Sequence, residues 1–237
     1  VILDAKINVR KDGETIQTAD VTVESTEPTG TSLGNGTAWS VENVGFTVTR
    51  DMPSIDYICA HENRLWGVSN EDKSIYASAL GDPMNFYVYD SLATDSYAVA
   101  VGSEGNWTAI CSYGGAVCCW KSNRVHRILG SYPAEYYMSE RTLDGPIDSR
   151  SLRNINEKLY YNGENGVFVY TGAAPTIISY GLGRDGLENT CGGTDGTSYF
   201  ISGTEDGKLV TYVYDTMLSL WLKDDDAVAD AYTLMGK

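Results

Sequence analysis

The stretch from His61 to Asp90, His-Glu-Asn-Arg-Leu-Trp-Gly-Val-Ser-Asn-Glu-Asp-Lys-Ser-Ile-Tyr-Ala-Ser-Ala-Leu-Gly-Asp-Pro-Met-Asn-Phe-Tyr-Val-Tyr-Asp, decides the fold class. It reads as a strand at Leu65 to Val68, a polar turn at Ser69 to Lys73, a second strand at Ile75 to Ala79, a Gly81-Asp82-Pro83 break and a third strand at Phe86 to Tyr89. The strands carry β-branched and aromatic residues, and the breaks carry residues that supply turn geometry, so the stretch reads as an antiparallel meander.

The same pattern recurs downstream. Tyr57 to Ala60 leads into Arg64-Leu65-Trp66 and Ser74-Ile75-Tyr76, and Thr108 to Ser112 leads into Ala116 to Trp120 and Val125 to Leu129. Leu152 to Ile155 leads into Lys158 to Tyr161 and Val167 to Tyr170, and Thr190 to Gly193 leads into Ser198 to Ile201 and Leu209 to Tyr214. The matched positions Leu65, Val117, Leu159 and Tyr199 step by 52, 42 and 40 residues, in the range of propeller blades. The fold class expected is therefore all-β, a β-propeller or a propeller-like series of antiparallel sheets, with a β-sandwich as the alternative. A fifth unit is expected to begin at Tyr232-Thr233-Leu234-Met235 and to be cut off at Lys237. No segment sustains a 3.6-residue apolar period, so helix is expected to be scarce.

Ahead of the repeats, residues 1 to 52 read as a β-rich flank and residues 53 to 237 as the propeller-like region. Ile2 to Arg10 alternates, Lys11-Asp12-Gly13-Glu14 is a hairpin-type turn, and Ala19 to Glu24 alternates again. Ser25 to Gly36 is a loop, Gly45 to Thr49 a strand, and the boundary falls at Asp51-Met52-Pro53. The chain begins Val1-Ile2-Leu3 without an initiator Met and reads as a mature or truncated piece.

A formal net charge of -15 argues against capture of a nucleic-acid backbone, since that affinity comes from Lys and Arg displacing counterions. The charge is read first as a device for solubility and against edge-to-edge association. Apolar runs stay well short of a membrane-spanning helix. Cys59, Cys111, Cys118, Cys119 and Cys191 include no Cys-x-x-Cys spacing and no nearby His cluster, so no zinc site is expected. Cys59, Cys111 and Cys191 take similar places in the repeats and read as small buried residues of inner strands, reduced in a cytoplasm.

The candidates for chemistry are weak. Gly181 to Gly186 matches Gly-x-Gly-x-x-Gly, but nothing after it continues as a helix, so it reads as a loop between blades. His61 and His126 have no Ser or Cys beside them in a nucleophile motif and read as strand-end or surface residues. Asp224-Asp225-Asp226 lacks the spacing of a calcium loop and reads as a solvated turn. Asn35-Gly36-Thr37 and Asn106-Trp107-Thr108 match the glycosylation triplet without a secretory leader to support it. The repeated Ser-x-Asp-x-Gly boxes of sialidase-like propellers are missing. No catalytic residue, cofactor or metal is assigned, and no small-molecule substrate or membrane partner is expected. Tyr132, Tyr136 and Tyr137, with Arg141 close behind, form the one candidate contact patch, for a carbohydrate or a protein, against the plainer alternative that tyrosines cover sheet faces.

The run Asn63 to Trp66, then Ser74-Ile75-Tyr76-Ala77-Ser78-Ala79-Leu80-Gly81-Asp82-Pro83-Met84-Asn85-Phe86, then Val117 to Leu129, resembles phage and prophage virion proteins, among them tail-nozzle and DNA-stabilising hub proteins of short-tailed phages. Asn165 to Gly172 and Val213 to Trp221 look similar to further blades of those proteins, so the resemblance covers about Pro53 to Trp221. It implies a non-enzymatic ring, nozzle or head-tail connector component. Such a component is assembled in the host cytoplasm and carried in the virion, with other copies of itself and neighbouring virion proteins as partners. It further implies holding DNA in and letting it pass during ejection through a lumen without specific binding, which acidic residues would assist if they lined that lumen. Two rival readings remain: a glycan- or receptor-binding propeller, and a hydrolase on a propeller scaffold.

Overall fold

The computed structural model describes residues 2–11, 14–24 and 45–48 of the flank by their backbone, and residues 52–89, 92–182, 187–224 and 229–233 beyond it. The chain divides into two compact units, Val1–Met52 and Pro53–Lys237. In the first, β1 (Ile2–Lys11) and β2 (Glu14–Glu24) form a long antiparallel hairpin, and β3 (Gly45–Val48) adds to β2 to make a three-stranded sheet. The loop read at Ser25 to Gly36 and the triplet at Asn35 lie outside the described residues.

The second unit is all-β and propeller-like: four sheets, each of four antiparallel strands in chain order, which we term blades 1 to 4. Blade 1 is β4 (Tyr57–His61), β5 (Arg64–Val68), β6 (Ser74–Ala77) and β7 (Tyr97–Ala100). Blade 2 is β8 (Trp107–Tyr113), β9 (Ala116–Lys121), β10 (Arg124–Leu129) and β11 (Tyr137–Thr142). Blade 3 is β12 (Arg153–Ile155), β13 (Lys158–Gly163), β14 (Gly166–Tyr170) and β15 (Thr176–Ile177). Blade 4 is β16 (Glu188–Thr194), β17 (Ser198–Glu205), β18 (Lys208–Asp215) and β19 (Leu220–Asp224). The series is not closed into a ring.

Tight turns explain why each blade begins as a hairpin. The first hairpins of blades 1, 2 and 3 turn on Glu62-Asn63, Gly114-Gly115 and Asn156-Glu157, all at positive φ, which matches the right-handed twist of the flanking strands. In blade 4 the longer turn is built by Asp195, whose carboxylate accepts from the backbone N–H of Thr197 and of Ser198 and from the Thr197 hydroxyl. Burial works against the Asp195 charge, but these hydrogen bonds outweigh it and hold the carboxyl below its ordinary range.

Strand alternation then distributes side chains to the two faces of each blade, and neighbouring blades bury what faces them. Trp66, Val68, Ile75 and Ala77 of blade 1 pack with Ile110, Val117, Cys119 and Ile128 of blade 2. The opposite face of blade 2 gives Ala109, Cys118, Trp120 and Val125 to a cluster with Leu159, Tyr161, Phe168 and Tyr170 of blade 3. Tyr160 and Val167 on the other face of blade 3 meet Tyr199, Ile201, Val210, Tyr212 and Tyr214 of blade 4. Tyrosine serves here as a core residue whose hydroxyl finds a backbone partner: Tyr161 donates to Asp144 O and Tyr199 to Ser151 O.

One expected strand is absent. Phe86 to Tyr89 is irregular, and the fourth strand of blade 1 is instead Tyr97–Ala100. The excursion between β6 and β7 is held by other means. Arg64, 3% exposed, donates to the carbonyls of Ser78, Ala93 and Asp95, while Val88 O and Asn85 O accept from Ser96. Backbone groups that a strand would pair are thus met by a guanidinium and a serine.

Candidate interaction surface

The four residues of the candidate patch do not converge. Tyr136 turns into the interface of blades 1 and 2, with its ring 5.2 Å from Trp66 and 5.0 Å from Tyr97. Tyr137, 67% exposed at the start of β11, points to the opposite face. Arg141 shares that face four residues along and reaches Gly172 O at 3.5 Å. Tyr132 sits apart, capping a 3-10 turn at Pro133–Glu135 and donating to Glu135 Oε1. Only Tyr137 and Arg141 therefore share a surface. Their separation was legible, since adjacent residues of an extended strand face opposite ways.

The two histidines differ. His61 ends β4, as expected of a strand-end residue, and its Nδ1 shares a 2.8 Å hydrogen bond with Ser112 Oγ of blade 2. Among the described residues no carboxylate holds the ring's other nitrogen, so the pair lacks the group that would orient a base. His126 is neither at a strand end nor on the surface. It lies inside β10, fully buried, edge-on to Trp107 at 5.3 Å and 3.0 Å from Ser103 Oγ through Nε2. Burial lowers its pKa, with Lys121 and Arg124 acting in the same direction and Glu140, 3.8 Å from Nδ1, opposing. Lys121 lies over Trp107 at 4.6 Å and donates to Ser103 O and Glu104 O. The link between blades 1 and 2 thus rests on a buried lysine, an indole and an imidazole, a constellation that the sequence did not disclose.

The five cysteines are free thiols. Cys59, Cys111 and Cys191 lie in the first strands of blades 1, 2 and 4, as the repeat suggests. Burial pushes Cys59 up to about 12 and raises Cys119 and Cys191. Cys118 is drawn down by its hydrogen bond with Cys111, its cross-strand partner, and then by Arg127, but it is 0% exposed. A sulfur without exposure cannot meet a substrate. Among the described residues no group of three or more His, Cys, Asp or Glu is placed to hold a metal ion, and no helix is long and apolar enough to cross a membrane.

The described carboxylates crowd the turns and outer edges, as at Glu62, Asp72, Glu104, Glu157 and Asp206. The first strands β4, β8, β12 and β16, of which β4 lies against β8 and β12 against β16, carry one acid, Glu188, beside Arg153 and His61. Among the described residues, clefts accompany them, one of about 540 Å³ beside Ala60, His61 and Leu80 on blade 1 and two more further along. One of about 610 Å³ between blades 2 and 3 is lined by Tyr113, Arg127, Asn154, Glu157 and Thr171. The other, about 330 Å³, lies on blade 4 between Arg153, Gly193, Phe200 and Tyr232. Gly181 lies in a 3-10 turn, Ser179–Leu182, whose continuation to Gly186 is outside the described residues, as are Asp225 and Asp226. Asn106 of the other triplet is exposed and accepts from Lys73 Nζ, while Trp107 is buried.

Exposed apolar side chains among the described residues also lie on one face of blade 4 and one face of blade 1. On blade 4, Leu209, Leu220 and Leu222 are 57%, 56% and 61% exposed. On blade 1, Ile58 is 60% exposed, with Ala60, Ala98 and Ala100 open beside it. The sequence carried a sign of the first of these in Leu220-Trp221-Leu222, since three consecutive apolar residues place apolar groups on both faces of a strand. No protein-family model and no curated protein matches the chain.

Proposed function

We propose that the chain is a non-enzymatic structural component of a phage particle, working through protein contacts in a tail, nozzle or head-closure assembly. The observation that carries this reading is the use made of the run that resembles virion proteins. Asn63 to Trp66 and Ser74 to Phe86 supply the central hairpin of blade 1, the guanidinium that ties down its long excursion, and the Trp66 that packs on blade 2. What the resemblance transfers is architecture, and the apolar end faces suit a part whose work is contact. The carboxylates of the described residues give no support to a negatively lined lumen, so the proposal is confined to protein contacts.

The test is deletion of the gene from a phage that encodes it. Loss of infectious, DNA-filled particles with capsid assembly intact, together with the chain detected by mass spectrometry in purified virions, is the expected result. Unaltered infectivity and absence of the chain from virions would overturn the reading. A glycan-binding role is favoured by one feature only, the exposed Tyr137 ring on the face it shares with Arg141. Binding on a glycan array that is lost in Tyr137→Ala would support it.

A further inference from the structure

The cleft of about 610 Å³ between blades 2 and 3 is fronted by two guanidiniums. Both blades have a neighbour on either side, and the lining residues all fall between Ser112 and Gly172. Strand geometry brings the cations there. Val125 of β10 packs on blade 3, so Arg127, two residues on, faces the same way, as does Arg141, the registered partner of Val125 on β11. Arg127 lines the cleft, and Arg141 reaches its edge at Gly172 O.

Neither guanidinium is paired with a carboxylate among the described residues. Arg127 Nε is buried without a hydrogen-bond partner, and so is the Tyr170 hydroxyl on blade 3. Burial raises the pKa of that hydroxyl, Cys118 adds to the rise, and Arg127 and Arg141 oppose it, so both guanidiniums lie within electrostatic reach of it. Buried donors are seldom left unpaired, because nothing repays the water they give up. In a chain of net charge -15, arginines kept clear of every acid call for an anion from outside.

The lining selects among anions. Ser112, Asn154 and Thr171 offer uncharged polar groups, and Gly114-Gly115 keeps the entrance free of side chains. Glu157 is the one acid among the described lining residues, and with the charge of the whole chain it opposes a doubly charged guest more than a singly charged one. A carboxylate carries a single charge and offers both oxygens to the fork of a guanidinium, whereas phosphate at neutral pH carries more charge.

From this we infer that the cleft binds a carboxylate, on Arg127 with Arg141 at its edge, supplied either by a small free acid or by an acidic side chain of another protein. The inference rests on the cleft alone and not on the virion reading, so a failure here leaves the deletion test above untouched.

The experiment is a titration of the isotope-labelled full chain, read in the proton–nitrogen spectrum at the Arg127 Nε–H and the Gly114 and Gly115 amides, with ionic strength held constant by sodium chloride. The probes are sodium acetate, a capped tripeptide with a central glutamate, the same peptide with glutamine, and inorganic phosphate. Saturable shifts are expected with acetate and the glutamate peptide, weaker binding with phosphate and none with the glutamine peptide. Tighter binding of the glutamate peptide than of acetate assigns the site to a protein carboxylate, and the reverse order assigns it to a small acid. Arg127→Gln, read at the glycine amides, should weaken binding about tenfold or more, as loss of a charged hydrogen bond implies. Arg141→Gln, at an exposed position, should weaken it by a smaller factor and decides the matter if Arg127→Gln does not fold. No saturable shift with either carboxylate, phosphate bound as tightly as they are, or binding that neither variant weakens would overturn the inference.

Discussion

Blade 2 and blade 4 are built from the same hairpin repeat, yet their side chains have different surroundings. Blade 2 is covered on both faces, and all six residues of β9 are buried, Lys121 among them. Blade 4 is covered on one, so β17 and β18 give Tyr199, Ile201, Tyr212 and Tyr214 to the core while β19 leaves Leu220 and Leu222 in the open. Strand propensity is common to the two; what differs is the presence of a neighbour. Burial in such a series belongs to the interface and not to the strand.

The largest expected effect tests that difference directly. Trp120 is 0% exposed, with ring contacts to Tyr161 at 5.5 Å and Tyr170 at 5.2 Å. Trp120→Ala should cost about 3–5 kcal/mol by denaturant unfolding, through lost burial and the cavity left behind. Leu222→Ala on the open face should stay within about 0.5 kcal/mol. Similar losses for the two would mean that the open face is covered in the folded chain, and the comparison would fail.

Next in size is Arg64→Met, which keeps much of the aliphatic stem but leaves the carbonyls of Ser78, Ala93 and Asp95 without their donor. A loss of about 2–3 kcal/mol is expected, with early proteolytic cleavage between residues 78 and 96 as its local signature. Uniform cleavage across the unit would instead make Arg64 a general core residue.

His126 sharpens the comparison from the side of charge, because a doubly covered blade leaves its imidazole no water. Its folded pKa lies below the unfolded value of about 6.5, so the unfolded chain binds the proton more readily. The stabilisation it reflects is complete above that pH and is lost as pH falls below it, by at most about 1.4 kcal/mol per pH unit for one proton. His126→Phe should remove that part of the slope between pH 7 and pH 5, with Lys121, Arg124 and Glu140 unchanged. An identical slope in the variant would assign the loss to carboxylates elsewhere.

The repeat was legible because its signals are local: a β-branched or aromatic run, a turn residue, another run. The places where sequence misled are those settled by distant partners. Phe86 to Tyr89 has the composition of a strand, but Arg64 and Ser96 satisfy the backbone of the segment it belongs to, and the edge of β6 is taken by Tyr97–Ala100. His126 reads as a strand-end or surface residue until the link carrying Ser103 is folded over it, with Lys121 buried beside it. Tyr136 and Tyr137 of the tyrosine patch lie on opposite faces by a rule of the strand itself.

The smallest effect concerns the turns that all these blades depend on. Blade 2 uses Gly114-Gly115 at φ 57° and 69°, whereas blade 3 forces the equivalent geometry on Asn156-Glu157, with Glu157 at φ 61°. An L side chain pays about 1–2 kcal/mol in that region, and glycine returns part of it as lost chain entropy. Glu157→Gly should therefore raise stability by about 0.5 kcal/mol. The Tyr113 hydroxyl bonds the Glu157 backbone carbonyl and not its side chain, so that contact survives the change. A loss on substitution would show that the Glu157 side chain contributes at the mouth of the cleft it lines, and the turn would then be shaped by that cleft as well as by the hairpin.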